Sequence, residues 1–463
     1  MVFGKDKVVG TFAPVFSLWS TTQSKEDFGT FASGVVLLDW LKKTGQTAWQ
    51  MLPLNETQLE TGSRIKHVPS PYKGYGIGLD PKFLSISFKK IKPSQKQLRI
   101  FLKKHSFWIK DYALFCALRD IFGTDDWRKW DKGIKMCNDK SIGVWEKKLE
   151  TEIMSYVIQQ WQLHESYKIL HQKAKLLDIL LIGDMPFYLS LNSPLVWKHK
   201  SLFDIDEHGE MTHVSGAVTK EYSHFGRQVW GHPLYSWKDK DKTSEFWKKR
   251  IEYTSYLYDV IRFDYAAGFF EYAAKSPTDP QKDEERPGPG SDFLDSLIDF
   301  AHRKKIRVFA EDSGKHVQIL REYMTKRRIP GIRIFRYAYD ELRDGINPYY
   351  AHYEAYPERS VIYSTTHDTE TLLSYLKILH KGQLTKLAEE IGIIYSGDLK
   401  EFATKILSKI ISSPAKTIII PIQDWLLSTS RINIPGTEKD TDDSNWQYKL
   451  ESPIEDLPSQ ISM

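Results

Sequence analysis

One feature constrains this chain more than any other: a short apolar, β-branched run that recurs and ends each time in polar or charged residues. Such runs occupy 10–16, 47–53, 179–184, 259–264, 306–312, 331–335, 361–368 and 417–424. Most are separated by stretches with helical patterning, such as 246–258 and 292–304. Strand-like runs alternating with helices in this number predict an α/β chain folded as a (β/α)8 TIM barrel. An open doubly wound sheet is the competing arrangement. Neither a glycine-rich dinucleotide loop nor a G-x-x-x-x-G-K-[ST] phosphate loop is present to support it. The interval 54–179 is far longer than one helix, so an inserted, mainly helical subdomain is expected at about 55–175, with one helix over 108–122. We expect a single catalytic unit over 1–463, with no separate C-terminal β-domain. Two polar segments, 281–292 and 436–444, read as mobile surface loops.

Composition narrows the class. The chain has 463 residues, 41% hydrophobic and 27% charged, which fits a globular enzyme and excludes a disordered or fibrous chain. The net charge of +5 is dispersed, and basic stretches such as 88–104 are interleaved with apolar residues, so they read as wet helix faces. No nucleic-acid partner is expected. Two cysteines, Cys116 and Cys137, cannot build a disulfide framework or a four-thiolate zinc site, and Cys116 reads as a buried thiol. There is no run of eighteen apolar residues, so no membrane span is expected. The first twenty residues contain Gly10, Pro14 and Trp19 and read as a strand rather than a secretory leader, which points to a cytoplasmic location. Aromatic residues make up 13% of the chain, and an excess of Trp and Tyr is one way proteins build platforms for sugar rings.

The acids carry the chemistry. Asp184, Asp264, Glu311 and Asp368 each stand at or just past the end of an expected strand. In a barrel those ends converge on one face, where active sites are built. Arg262 lies two residues before Asp264, hence on the same strand face, and is expected to keep Asp264 ionised as a nucleophile requires. A neighbouring acid with a raised pKa would then protonate a leaving group. The alternative is that these acids are helix N-caps. His367-Asp368 also admits a metal-pair reading, but no H-E-x-x-H is present and His164 with His171 has no partner set. No metal site is expected.

These residues also carry a family resemblance. Trp49-Gln-Met-Leu-Pro-Leu54 and Ser70-Pro-Tyr72 are similar to the W-Q-V-L-P-L and S-P-Y strings of the amylomaltases, the 4-α-glucanotransferases of glycoside hydrolase family 77. Ile182-Gly-Asp-Met-Pro-Phe187 resembles I-G-D-[LM]-P-I, and the string from Gln228 to Trp237 resembles Q-x-W-G-N-P-x-Y-x-W. Arg262-Phe-Asp264, Ala310-Glu-Asp-Ser-Gly314 and Thr366-His-Asp368 are similar to R-I-D, A-E-D-L-G and T-H-D. Pro421-Ile-Gln-Asp424 and Arg431-Ile-Asn-Ile-Pro-Gly436 match the closing P-L-Q-D and R-M-N-x-P-G. The strings run end to end and in order.

The resemblance implies Asp264 as nucleophile, Glu311 as general acid/base and Asp368 as the third, transition-state-stabilising carboxylate. It places Tyr72, Asp184, Arg262 and His367 around the donor glucose, and Ser70, Gln228, Trp230 and Asn433 against neighbouring glucose units. It implies α-1,4-glucans and malto-oligosaccharides as substrates, with no metal and no organic cofactor. Transfer would exceed hydrolysis if an aromatic loop near Tyr222, Trp230 and Tyr235 shields the intermediate. Trp237 is expected to pack that loop onto the barrel, while Trp230 stacks on a sugar. The departures are Tyr265 for a histidine, Ala267 for an arginine, Asp80 for an asparagine, Thr369-Glu370 for Asn-Asp, Arg227 inside the usual Gly-Gln pair, and a changed 218–221 segment. Two other readings stay open: a hydrolase of the α-amylase type, and a degenerate glucan-binding protein that has lost turnover.

Overall fold

The computed structural model describes residues 6–25, 27–217, 227–313, 317–341, 344–437 and 445–459. Eight parallel strands form its central sheet: β1 (Val8–Phe12), β2 (Ala48–Gln50), β3 (Leu180–Met185), β4 (Val260–Phe263), β5 (Arg307–Ala310), β6 (Ile332–Ile334), β7 (Val361–Tyr363) and β8 (Thr417–Pro421). They pair in the order β6-β7-β8-β1-β2-β3-β4-β5, so sequence neighbours are spatial neighbours all the way round. The two ends approach each other through backbone and carboxylate contacts. Ala310 N donates to Pro330 O at 3.1 Å, and Ile332 N to Asp312 Oδ1 at 2.7 Å. This is a nearly closed (β/α)8 barrel, and each strand falls at one of the eight apolar runs. β8 shows why they were legible: all five of its residues are buried, as parallel strands covered on both faces must be. At Gly10 the approach of β1 to β2 is so close that a Cβ would lie 2.4 Å from Ala48 O.

Helices fill the interval between β2 and β3. They include Gln95–Lys104, Ile109–Phe122, Asp139–Lys148 and the long Glu150–Leu176. Cys116 is fully buried in the second of these. The helices expected over 246–258 and 292–304 run over Lys240–Ser255 and Ser291–Arg303.

The segment 281–292 corrects the reading made from sequence. Rather than a loose excursion, it contains the strand Glu284–Pro287, the edge of a four-stranded antiparallel sheet with Val214–Gly216, Val229–Pro233 and Glu271–Lys275. Glu-Glu-Arg-Pro has neither alternation nor β-branched residues, so nothing in it signals a strand. Charge and proline at a sheet edge are what protect such an edge from further pairing. The changed 218–221 segment, Tyr222 and most of 436–444 lie outside the described residues.

Candidate active site

Register explains how the acids meet. β3 and β4 pair Asp184 with Arg262, so the two side chains share a face at the strand ends. Backbone bonds then continue the ladder past the strands: Asp264 N to Met185 O at 3.3 Å and Glu311 N to Phe263 O at 3.0 Å. The nucleophile and acid/base candidates are thus fixed by main chain.

One guanidinium serves three carboxylates. Arg262 Nη1 lies 2.6 Å from Asp184 Oδ2 and 3.0 Å from Asp264 Oδ1, and Nη2 lies 2.7 Å from Glu311 Oε2. The Asp184 side chain is 1% exposed, whereas Asp264 and Glu311 retain 22% and 25%. The deep acid is therefore a fixture, and the other two face the mouth. Tyr72 donates to Asp184 Oδ2 at 2.7 Å, and its ring stacks on His367 at 5.4 Å. Asp184 Oδ1 is buried without a hydrogen-bond partner among the described residues.

Arg262 was expected to keep Asp264 ionised; its division among three acids changes that. Burial, with Asp184 and Glu311 as like-charged neighbours, pushes the Asp264 carboxyl well up despite Arg262. Burial also raises Glu311, but Arg262 and the Ser313 hydroxyl, 2.5 Å from Oε1, outweigh it and hold the group low. Asp264 and Glu311 lie close enough to interact directly and titrate as a coupled pair, with Asp264 pushed up and Glu311 held low.

Asp368 approaches from the segment after β7. His367 Nε2 lies 3.2 Å from its Oδ2, and Asn433 Nδ2 donates to Oδ1 at 2.7 Å. Partial burial raises this carboxyl, and His367 and Asn433 more than offset the rise, so it stays charged. Ser70 is buried on the turn that carries Tyr72. Asp424, by contrast, is structural: Ser364, Thr365 and the backbone N of Leu372 all donate to it.

Trp230 lies on the strand Val229–Pro233 of the four-stranded sheet, and Gln228 directly precedes that strand. Trp230 Nε1 donates to Gln228 Oε1 at 3.2 Å, and its ring meets Tyr265 edge-on at 5.1 Å. Tyr265 is the link to the acids. It adopts a left-handed backbone, φ 46°, and its N–H lies 3.4 Å from Glu311 Oε2. Trp237 packs on Phe293 at 5.4 Å, as expected. Tyr235 does not belong to a shield: it is 2% exposed and donates to Phe187 O while accepting from Arg250. Sequence reasoning also passed over Trp446, whose ring lies 5.8 Å from Tyr72 and 5.9 Å from His367. Only its place thirteen residues after Asn433 hinted at it. Among the described residues, no group of three or more His, Cys, Asp or Glu side chains is arranged to hold a metal ion. Nor is any helix there long and apolar enough to cross a membrane.

Barrel and site together define an α/β-barrel enzyme whose C-terminal mouth is built from coupled carboxylates. The family model described as 4-alpha-glucanotransferase (glycoside hydrolase family 77) matches residues 79–455. The 4-alpha-glucanotransferase of Thermus thermophilus is 27% identical over 92% of this chain and 90% of its own. The chloroplastic/amyloplastic one of Solanum tuberosum is 26% identical over 90% and 78%. In fold the chain is similar to the amylomaltase of Streptococcus agalactiae, solved in complex with acarbose: TM-score 0.83, 22% identity, 96% and 95% covered. The chain belongs to the 4-α-glucanotransferase family.

Proposed function

We propose that this 4-α-glucanotransferase transfers α-1,4-glucan segments between malto-oligosaccharides by retaining double displacement. Asp264 is the nucleophile, Glu311 the general acid/base and Asp368 the stabilising carboxylate. The observation that carries the reading is the Asp264–Glu311 pair, close enough to share a proton beside Arg262. Carboxyls that close leave no room for the intervening water that an inverting site holds at about 6.5–9.5 Å separation.

A bound glucan displaces solvent around the pair, and the proton that the pair shares is carried by Glu311, where it faces the glycosidic oxygen. Asp264, now anionic, attacks the anomeric carbon as Glu311 protonates the leaving chain. Glu311 then takes the proton of an acceptor 4-hydroxyl as its oxygen attacks the anomeric carbon, the bond to Asp264 breaks to free the carboxylate, and the α-1,4 bond is restored. Asp368 stays charged beside the developing oxocarbenium ion. Asp184 Oδ1 and Tyr72 hold donor hydroxyls with Arg262 and His367, while Ser70, Gln228, Trp230 and Asn433 contact neighbouring glucose units.

Catalysis is read here as needing no metal or organic cofactor, carried by one unit with the 55–175 insertion, in the cytoplasm. The test is chromatography of products from pure maltotriose with and without EDTA. Both longer and shorter oligosaccharides should form, at equal rates in the two samples. Only shorter ones would make the chain a hydrolase, and no products a binding protein. A loss under EDTA restored by one divalent ion would put a metal at His367-Asp368.

A further inference from the structure

Asp368 is held differently from its two partners. Asp264 and Glu311 extend a strand ladder, whereas Asp368 sits five residues past β7 in a turn where Thr366 N donates to Thr369 Oγ1 at 3.0 Å. Its external ties come from 431–433. Asn433 N donates to His367 O, Arg431 Nη2 to Asp368 O, each at 3.1 Å, and Asn433 Nδ2 to the Asp368 carboxylate. Arg431 also clasps Asn433 O at 3.1 Å, so one guanidinium gathers both backbones.

What aims that guanidinium is Glu370. Its Oε1 lies 2.8 Å from Arg431 Nη1, and its Oε2 lies 2.7 Å from Arg336 Nε. Arg336 is itself immobile: its side chain is 8% exposed, lies 4.3 Å over the Tyr375 ring, and its N–H binds Ser364 O at 2.9 Å. The carboxylate spans from the barrel wall after β6 to the segment that supplies Asn433.

We propose that Glu370 is a positioning residue for the reaction: through Arg431 it sets Asp368 and Asn433 against the transition state. This rests on the role given to Asp368 above. The ties to Asp368 act on the reacting geometry rather than on ground-state binding, because Asp368 stabilises charge that develops only during reaction.

The test compares Glu370→Gln, Arg431→Ala, their combination and Asp368→Asn in maltotriose disproportionation, with the thermal midpoint of each. Glu370→Gln should lower kcat about 10- to 100-fold, the scale of a sub-ångström to ångström misplacement. KM should stay within about threefold and the midpoint within about 2 °C. The double variant should be no slower than Arg431→Ala alone, since both act through one tie. Wild-type kcat in Glu370→Gln, additive losses, or a loss that tracks a fallen midpoint would overturn the proposal. Asp368→Asn separates the two levels. If it is inactive while Glu370→Gln is normal, only the positioning role falls; if it is itself near normal, the role of Asp368 falls and the proposal with it.

Discussion

The two sides of the barrel mouth are built by different physics. On the donor side every group is tied by charge or hydrogen bonds: Tyr72 to Asp184, Asp184 to Arg262, Arg262 to Asp264 and Glu311, Asn433 to Asp368. On the opposite side Trp230, Tyr265 and Tyr188 meet through ring contacts at 5.1–6.3 Å, and His232 stacks on Tyr188. Departures from the family strings fall on both sides: Tyr265 and His232 among the rings, and Thr369-Glu370 beside Asp368 in the charged network. Breaking a Coulombic network is costly, because removing one partner strands a charge in a poorly solvated site, at about 3–5 kcal/mol. Ring contacts are each worth about 0.5–1.5 kcal/mol and can be rebuilt with other side chains. On the proposed mechanism the charged side sets the reaction, and the contrast predicts that the aromatic side acts on the acceptor.

That contrast breaks if the two sides respond alike to mutation. Asp264→Asn and Glu311→Gln should each cost about 10⁴-fold or more in kcat with the fold retained, and the double variant little more, since the pair acts as a unit. Near-normal turnover in either would remove the centre of the account. Asp184→Asn comes next, with about 10²- to 10³-fold lost from kcat/KM, as it removes the buried charge facing Arg262. Steady-state kinetics on maltotriose check both.

Trp230→Ala should act on partition rather than on chemistry. It removes a ring that helps hold an acceptor, so transfer should fall about three- to tenfold while the hydrolysed fraction rises. The ratio of new reducing ends to lengthened products reads this directly. An unchanged ratio with slower turnover would assign Trp230 to the donor side or to packing. The smallest effect belongs to Ser313→Ala. Its hydroxyl helps hold Glu311 low, so its loss raises the Glu311 pKa, and the alkaline limb of kcat/KM should move to higher pH. A limb that stays put, or moves down, contradicts that assignment.

Much of this was legible beforehand, for a physical reason. Barrel strands are covered on both faces, so they announce themselves as continuous apolar runs such as Thr417–Pro421, and an acid interrupting such a run at its end stands out. The strand Glu284–Pro287 carries no such signal, because an exposed edge has nothing to bury. Nor does spacing along one strand reveal that Arg262 is shared. That depends on the register of β3 with β4 and of β4 with β5, which brings Asp184 and Glu311 to the same guanidinium and, with burial, pushes the Asp264 carboxyl up. The Tyr235 ring looked like part of a shield, and its burial follows from partners, Phe187 and Arg250, far from it in sequence.

The central claim is that Asp264 forms the covalent glycosyl-enzyme with Glu311 as its acid/base. Glu311→Gln protein mixed with an α-maltosyl fluoride, whose leaving group needs no protonation, should form that species and release it slowly. Mass spectrometry of the digested protein should then find one maltosyl unit on the peptide containing Asp264. Release of sugar of inverted configuration without an adduct, or an adduct on any other carboxylate, would contradict the account.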